Sequence, residues 1–336
     1  MNNKKNRMLE YLRLFRFQTG AATASAPLIG GLVIGQRDIF VLFILLIIGI
    51  LYHIYVFVLN EYIDVEVDRK SLDLQKKPLV SGSIPRKYAQ FIIFISCVCA
   101  CALTIIFFPY PIPILFLILA IMLGGIYDIF GKKILGSDFI LGSGFFFICL
   151  FGASTFSNDF TSITYIVCSI YFFHIIFNNA VEGGLKDVYH DHLAGAKTSA
   201  IRMGVKVIDG TPTVTKTFMA FSYGIRLIFI GLIFLLIFQQ DPNLWFDRYI
   251  LEISIVVFLT IILFVTLYKF LHFSTFDRSR LKKLFSTHEI TSYFMLLIAL
   301  SPIFGLWIIV FLFLLVSIWY LVFNIILYGT LLQPLV

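Results

Sequence analysis

Charged side chains are scarce in this chain. They make up 13% of its 336 residues, about half of the roughly 25% found in soluble domains. A water-soluble protein with so few charges lacks the polar surface to cover its core, so an ordinary soluble enzyme is excluded. Hydrophobic residues reach 60%, which also excludes a disordered or collagen-like chain. The basic residues are not gathered into one domain, so no nucleic-acid partner is expected.

The sequence also lacks a cysteine framework. All five cysteines lie inside apolar runs, and Cys97, Cys99 and Cys101 alternate at i, i+2, so they do not share one helix face. Packing of small side chains is favoured over a metal site or a disulfide. A cleavable signal peptide is not indicated either, because residues 1–16 are polar and basic and no small-residue cleavage pattern follows.

Long apolar runs, in contrast, fill the chain. Each has about 20 residues and is long enough to cross roughly 30 Å of hydrocarbon. We predict an all-α, multi-pass transmembrane helical bundle in one integral-membrane domain over residues 1–336, with a polar segment at 1–16 and an apolar C-terminal extension at 309–336. About nine spans are expected, at 18–36, 39–60, 88–107, 110–127, 138–157, 161–183, 217–238, 249–271 and 290–308. Residues 290–329 could form one crossing, a broken helix or two crossings.

The basic residues are distributed unevenly between the two sides of this map. Most of the 26 precede the first span or follow the second, fourth, sixth and eighth. The opposite side has only Arg37 and Arg248, and Arg226 falls within a span. This asymmetry places the N-terminus and the long loops 64–87 and 184–216 in the cytoplasm, with the bundle in the cell membrane. Long loops in compact proteins are usually functional.

An acidic stripe ends the second span. Asn60, Asp64 and Asp68 are spaced i, i+4, i+8 and therefore share one helix face. Their oxygen atoms are suited to Mg²⁺. Glu61 and Glu66 point elsewhere on the helix. A solvated helix end, where acids balance the lysines that follow, explains this one cluster equally well.

A second acidic cluster at the end of the sixth span favours the metal. Asp187 and Asp191 are again at i, i+4, and Lys197 follows them. Two acidic faces at one membrane surface repel unless a cation lies between them. A diphosphate held by that metal would also need cations for its departing oxygens. Basic residues in the loops on the same predicted side are Lys77, Lys132, Lys133, Lys197 and Arg202. Taken singly, each of them is equally explained as a charge that sets the membrane topology.

Three motifs resemble those of the UbiA superfamily of intramembrane prenyltransferases. Residues 60–68 (Asn-Glu-Tyr-Ile-Asp-Val-Glu-Val-Asp) and 77–82 (Lys-Pro-Leu-Val-Ser-Gly) resemble its first motif. Residues 187–198, which run from Asp187 through Asp191 and Gly195 to Thr198, resemble its second. The resemblance extends from about residue 10 to residue 308, with a counterpart of a third family feature, a tyrosine followed by basic residues, after the fourth span.

The resemblance implies a nine-helix bundle around a central cavity that opens to the cytoplasm. Asn60, Asp64 and Asp68 would hold one Mg²⁺, and Asp187 and Asp191 a second. The four aspartates are therefore the expected catalytic residues. Glu61 replaces the family's usual Asp, but it lies off the metal stripe, so little consequence is expected.

The resemblance also implies the diphosphate contacts. They are expected from Lys77, which replaces the usual Arg and lacks its bidentate fork, from Tyr127 with one lysine of the pair Lys132 and Lys133, and from Lys197.

His53 is the only indication of the acceptor side. It precedes Asn60 by seven residues, nearly two helical turns, and is expected to line the cavity one step deeper. Members that prenylate hydroxybenzoate typically have Arg here, so hydroxybenzoate is disfavoured. A histidine packed between helices remains an equal alternative.

The function that follows from the resemblance is Mg²⁺-dependent transfer of a prenyl group. An isoprenyl diphosphate would ionise toward an allylic carbocation and react with a hydrophobic or aromatic acceptor, either a quinone precursor or a lipid alcohol. The alternative is a cation transporter with the acidic clusters as ion ligands. Transporters place such ligands near the midplane on broken helices, whereas both clusters here lie at helix ends.

Overall fold

The computed structural model describes residues 2–69, 74–193, 195–208, 211–240, 246–273 and 277–331. Lys70 in the predicted cytoplasmic loop 64–87 and residues 332–336 of the C-terminal extension lie outside the described residues. The described helices are α1 (Asn2–Leu14), α2 (Gly20–Val33), α3 (Ile39–Asp68), α4 (Arg86–Phe107), α5 (Pro111–Phe130), α6 (Ser137–Ser154), α7 (Ser162–Ile176), α8 (Gly184–Leu193), α9 (Ser199–Arg202), α10 (Lys216–Phe238), α11 (Phe246–Leu271), α12 (Arg278–Ala299), α13 (Ser301–Phe304) and α14 (Leu306–Tyr328).

The predicted all-α, multi-pass bundle is confirmed. Among the described residues, eight helices are long and apolar enough to cross a membrane: α3, α4, α5, α6, the continuous helix from α7 to α8, α10, α11 from Ile250, and α14. α2 packs among them with only 14 residues, and a 3₁₀ turn (Phe17–Thr19) precedes it. The one sheet in the described chain is a short antiparallel hairpin of β1 (Lys206–Ile208) and β2 (Thr211–Thr213).

The C-terminal region is broken into two long helices. α12 ends at Ala299, α13 covers one turn, and α14 begins after Gly305, whose φ of +77° reverses the local backbone. The predicted span 290–308 is therefore wrong in its bounds, because α12 begins at Arg278 and the chain turns at Pro302 and Gly305. A proline early in α13 and a glycine in the left-handed region both interrupt helix continuation.

Two helices extend well beyond the hydrocarbon thickness. α3 has 30 residues, or about 45 Å at 1.5 Å per residue, and Asp38 caps its start by accepting hydrogen bonds from the backbone N–H groups of Phe40 and Val41. α7 and α8 are joined through a π-helix (Phe177–Gly183) into one helix of 32 residues. Each of these helices is therefore longer than the roughly 20 residues that one crossing requires.

Glycines bring α2 and α6 into direct backbone contact. A Cβ on Gly30 would lie 2.0 Å from the carbonyl oxygen of Cys149, and one on Gly152 would lie 1.9 Å from that of Pro27. Small residues allow this close approach between helices in membrane proteins. The contact sets α2, with its cavity-facing residues, firmly against the rest of the bundle.

Candidate active site

A large cavity lies inside the bundle. It has a volume of about 980 Å³ and is lined by residues of α2, α3, α5, α6, α7, the π-helix, α8, α12 and α14. The residues of both acidic motifs line it: Asn60, Asp64, Asp68, Asp187 and Asp191. The fold thus brings together two clusters that are more than 100 residues apart in sequence.

Each carboxylate of α3 faces a basic side chain. Asp64 Oδ2 lies 2.9 Å from Lys132 Nζ, and Asp68 Oδ2 lies 2.8 Å from Lys77 Nζ. The spacing of one turn places Asp64 and Asp68 on the cavity face, while Lys132 and Lys77 reach them from the turns after α5 and α3. Both lysines also line the cavity.

Lys77 is held by a second carboxylate. Glu61 is 3% exposed, does not line the cavity, and has its Oε1 at 3.1 Å from Lys77 Nζ and at 2.5 Å from Arg16 Nη2. Arg16 also donates through Nε at 3.1 Å and adopts a left-handed backbone conformation with φ of +46°. Glu61 thus lies off the metal stripe as expected, but it connects the buried Lys77 with the partly buried Arg16.

The second motif meets a different set of cations. Asp187 Oδ1 lies 2.7 Å from Arg278 Nη2, and Asp187 Oδ2 lies 3.3 Å from Lys186 Nζ. Asp191 is 7% exposed and lines the cavity, and no described basic side chain forms an ion pair with it. Asp191 is therefore a buried carboxylate that no described basic side chain contacts.

Tyr127 is held on the cavity wall by the π-helix. Asn179 donates one hydrogen bond to the Tyr127 hydroxyl at 2.6 Å and another to Asp138 at 2.5 Å. Ser199, at the start of α9, donates to the other oxygen of Asp138. Asn60 in turn donates to Asp128 at 3.3 Å. The π-helix, α5, α6 and α9 are joined here by side-chain hydrogen bonds.

The remaining sequence-predicted residues are not on the cavity wall. Lys133 and Lys197 are exposed and do not line it, although the Lys197 backbone N–H donates to the Lys132 carbonyl at 2.9 Å. His53 is fully buried, with Nδ1 at 2.9 Å from Thr23 Oγ1 and Nε2 at 2.8 Å from the Phe15 carbonyl. The expectation that His53 lines the cavity is wrong. Thr23 lines the cavity at this point, and His53 lies behind Thr23 and contacts it.

The surrounding charges shift the pKa of two lysines in opposite directions. Burial alone would lower the pKa of Lys132, but the carboxylate of Asp64, helped by Asp191 and Asp68, raises it above its ordinary value. Burial, with Arg278 close by, lowers the pKa of Lys282 to about 7. Lys132 is therefore a permanent cation at neutral pH, whereas Lys282 is not.

The donor set fits Mg²⁺. In the described part of the chain, no three acidic, histidine or cysteine side chains already converge as ligands; the motif aspartates face lysines and arginine instead. Four carboxylates and the Asn60 amide oxygen on one cavity are nevertheless the hard oxygen donors that Mg²⁺ prefers. Within the described residues no basic side chain contacts Asp191, so the described cations do not pair with the whole set.

Sequence reasoning missed several residues of this site. Arg16 precedes the first predicted span and Arg278 follows the eighth, so the sequence indicates only a topogenic role for them, and it gives no indication of Asn179 or Asp138. Nothing in the local spacing distinguishes these residues, because each acquires its partner from a different helix. The one available signal was the position of Arg16 at the very start of the first apolar run.

The fold and the cavity define a class: a membrane-type helical bundle whose cavity combines oxygen donors suited to Mg²⁺ with basic side chains. The sequence profile of the UbiA prenyltransferase family matches residues 24–288. The chain belongs to the UbiA prenyltransferase family, which confirms the resemblance seen in its motifs. A search of curated proteins found no match.

Solved structures share the fold at low sequence identity. A UbiA homologue from Archaeoglobus fulgidus bound to GPP and Mg²⁺ is 16% identical with a TM-score of 0.62, over 88% of this chain and 100% of that one. A structure of digeranylgeranylglyceryl phosphate synthase is 18% identical with a TM-score of 0.62, over 90% and 100%. The apo UbiA homologue from Aeropyrum pernix K1 is 12% identical, also with a TM-score of 0.62, over 83% and 96%.

Proposed function

We propose that this protein transfers a prenyl group from an isoprenyl diphosphate to a hydrophobic acceptor in the membrane, with Mg²⁺ as cofactor. The observation that carries the proposal is the meeting of two acidic motifs and several basic side chains on one cavity inside an apolar bundle. Family membership supports prenyl transfer, and a relative of the same fold binds GPP and Mg²⁺.

Two sets of residues would hold the metal. Asn60, Asp64 and Asp68 supply one set, and Asp187 and Asp191 the other. Bound there, Mg²⁺ would stabilise negative charge on the departing diphosphate. The basic partners of these aspartates would then be free to turn from carboxylate to phosphate oxygens.

Three cations would bind the diphosphate. Lys132 and Lys77 line the cavity beside the first motif, and Arg278 lines it beside the second. Their positive charges would stabilise the phosphate oxygens as the allylic C–O bond breaks. The Tyr127 hydroxyl, held by Asn179, lies on the same wall and can donate to one of these oxygens. Lys133 and Lys197, which are exposed, would act from the mouth through long-range attraction.

The apolar part of the cavity lining suits the prenyl chain. Its lining includes Leu141, Phe145, Phe229, Leu296 and Phe313. Apolar and aromatic walls exclude water and can stabilise an allylic cation through cation–π contact. The acceptor would enter the cavity from the bilayer, and the product would leave into it.

A direct assay tests this function. Purified protein in bilayer vesicles is supplied with radiolabelled geranyl diphosphate and a lipid extract, with and without Mg²⁺. We expect label in a new lipid product only with Mg²⁺. Uptake of a labelled divalent cation into the vesicles, with no prenylated product, would contradict the proposal and favour the transporter.

A further inference from the structure

Asp138 is a buried carboxylate on the cavity wall that belongs to neither acidic motif. It lies in the first turn of α6, is 5% exposed and lines the cavity. A carboxylate inside a membrane bundle is unfavourable unless its oxygens are hydrogen-bonded, and such residues are usually functional. The partners of its two oxygens therefore indicate what Asp138 does.

Both oxygens of Asp138 accept hydrogen bonds, and the two donors come from different segments. Asn179 in the π-helix donates through Nδ2 to Oδ1 at 2.5 Å. Ser199 at the start of α9 donates through its hydroxyl to Oδ2. An ionised carboxylate only accepts hydrogen bonds, so each of these neighbours must present a donor to it.

Asp138 fixes the orientation of the Asn179 side-chain amide. The Nδ2 atom of Asn179 lies 2.5 Å from Asp138 Oδ1 and 2.6 Å from the Tyr127 hydroxyl oxygen. An amide nitrogen carries two N–H groups, and one is directed at each of these oxygens. If the amide turned by half a rotation, its carbonyl oxygen would face the carboxylate and leave two acceptors in contact. Since that arrangement is unfavourable, the carboxylate keeps the amide nitrogen toward Tyr127.

The orientation of Asn179 determines which kind of hydrogen bond Tyr127 offers to the cavity. The Tyr127 oxygen accepts the bond from Asn179, so the hydroxyl hydrogen is not used in that contact. A phenol hydroxyl can accept and donate at the same time. Because Tyr127 lines the cavity, its hydrogen is available to a ligand there, and Tyr127 presents a donor to that ligand.

We propose that Asp138 is a positioning residue for the diphosphate: through Asn179, it keeps the Tyr127 hydroxyl as a hydrogen-bond donor toward a phosphate oxygen. This proposal rests on the proposed function, in which Tyr127 contacts the diphosphate. Without the carboxylate, the Asn179 amide is free to turn, and the Tyr127 hydrogen is then drawn to its carbonyl oxygen. Tyr127 would present only lone pairs to the phosphate oxygens, which are themselves acceptors.

A double-mutant cycle tests whether Asp138 acts through Tyr127. The Kd for geranyl diphosphate is measured with Mg²⁺ and without an acceptor, on full-length protein in detergent. Tyr127→Phe removes one hydrogen bond to a charged group and should raise Kd about 10-fold. Asp138→Asn should raise Kd about 5-fold in the otherwise wild-type protein but less than about 2-fold in Tyr127→Phe, because groups that act through one another are not additive. Ser143→Ala is the control on α6, since Ser143 donates to the Phe139 carbonyl and does not line the cavity.

An exchange of the two side chains separates the direction of the hydrogen bonds from their contribution to stability. When Asp138→Asn is combined with Asn179→Asp, the amide at position 138 donates to the carboxylate at position 179 and still accepts from Ser199. The Tyr127 hydroxyl then donates to position 179, so its hydrogen no longer faces the cavity. The melting temperature should recover toward that of the wild-type protein, while Kd should stay raised by about 5-fold.

Ser199→Ala is the matched variant on the other oxygen of Asp138. It removes one hydrogen bond from the carboxylate and leaves the bond from Asn179 in place. The melting temperature should fall, because a buried oxygen loses its partner, but Kd for geranyl diphosphate should change less than about 2-fold.

The outcomes distinguish this proposal from the function on which it rests. Equal effects of Asp138→Asn with and without the Tyr127 hydroxyl would overturn the positioning role, and so would recovery of Kd in the exchange variant. An unchanged Kd in Tyr127→Phe would overturn it as well, since there would be no hydroxyl contact to direct. If the wild-type protein does not bind geranyl diphosphate with Mg²⁺, the proposed function itself fails. If Asp138→Asn alone does not fold, Kd in the exchange variant decides the question.

Discussion

Glu61 holds Lys77 against the cavity wall: its Oε1 lies 3.1 Å from Lys77 Nζ, which lies 2.8 Å from Asp68 on the other side. Glu61 Oε1 also accepts a hydrogen bond from Arg16. Because all three side chains are buried or partly buried, loss of the shared carboxylate leaves two cations without their partner. The expectation of a silent Glu61, which followed from its place off the metal stripe, therefore needs revision.

We predict that Glu61→Gln destabilises the protein and weakens diphosphate binding. Removal of one partner from a buried ion pair costs about 3–5 kcal/mol, and the remaining amide hydrogen bonds place Glu61→Gln at the lower end of that range. KM for the prenyl diphosphate should rise several-fold. Glu66→Gln is the control on the same helix, since Glu66 is 60% exposed with exposed Arg69 and Arg86 as partners. Equal melting temperatures for both variants would contradict this role of Glu61.

Asp64→Ala and Asp191→Ala should each abolish turnover while the protein remains folded in the membrane. One aspartate comes from each motif, and removing a group that stabilises developing charge typically costs 10²- to 10³-fold in rate. Size-exclusion chromatography and circular dichroism check folding, and product formation is measured by mass spectrometry. A wild-type rate in either purified variant would rule out a site shared by both motifs.

Removal of divalent metal should stop the reaction, and removal of the Lys132 charge should weaken substrate binding. With EDTA, no product is expected; Mg²⁺ should restore it. Because Lys132 lines the cavity and contacts Asp64 at 2.9 Å, Lys132→Met should weaken binding of geranyl diphosphate measured with Mg²⁺. Activity that persists after complete chelation would exclude magnesium as the cofactor.

The orientation in the membrane can be tested by cysteine labelling. Lys76 and Lys206 are exposed in the two long loops, and Asp159 is exposed in a short connection on the other side. In a background without the native cysteines, Lys76→Cys and Lys206→Cys should react only with a reagent applied from the cytoplasm, and Asp159→Cys only from outside. Labelling of the two lysine positions from opposite sides would refute the topology.

His53→Phe should lower stability rather than acceptor affinity. Both ring nitrogens are paired with Thr23 and the Phe15 carbonyl, so the variant leaves two buried polar groups unpaired at about 1–3 kcal/mol each. A lower melting temperature with unchanged KM for the acceptor is expected. An unchanged melting temperature with a raised acceptor KM would instead return His53 to the acceptor side.

The sequence by itself determined the helical membrane bundle and the position of both acidic motifs. Apolar runs of about 20 residues have few structural solutions in a bilayer other than helices. The spacing of Asn60, Asp64 and Asp68 fixes their common face as soon as that segment is helical. Local periodicity carries this information, so it could be read without knowledge of the neighbouring helices.

Only the tertiary structure decided which side chains meet. Arg278 pairs with Asp187 across 91 residues, and Glu289 joins His174 and Asn178 across more than 100. Such pairs depend on how helices pack and rotate against one another, which no local pattern encodes. His53 shows the same limit. Its helical face could be predicted from spacing, but spacing could not show that α2, with Thr23, covers this face. Close packing of helices through glycines places α2 there.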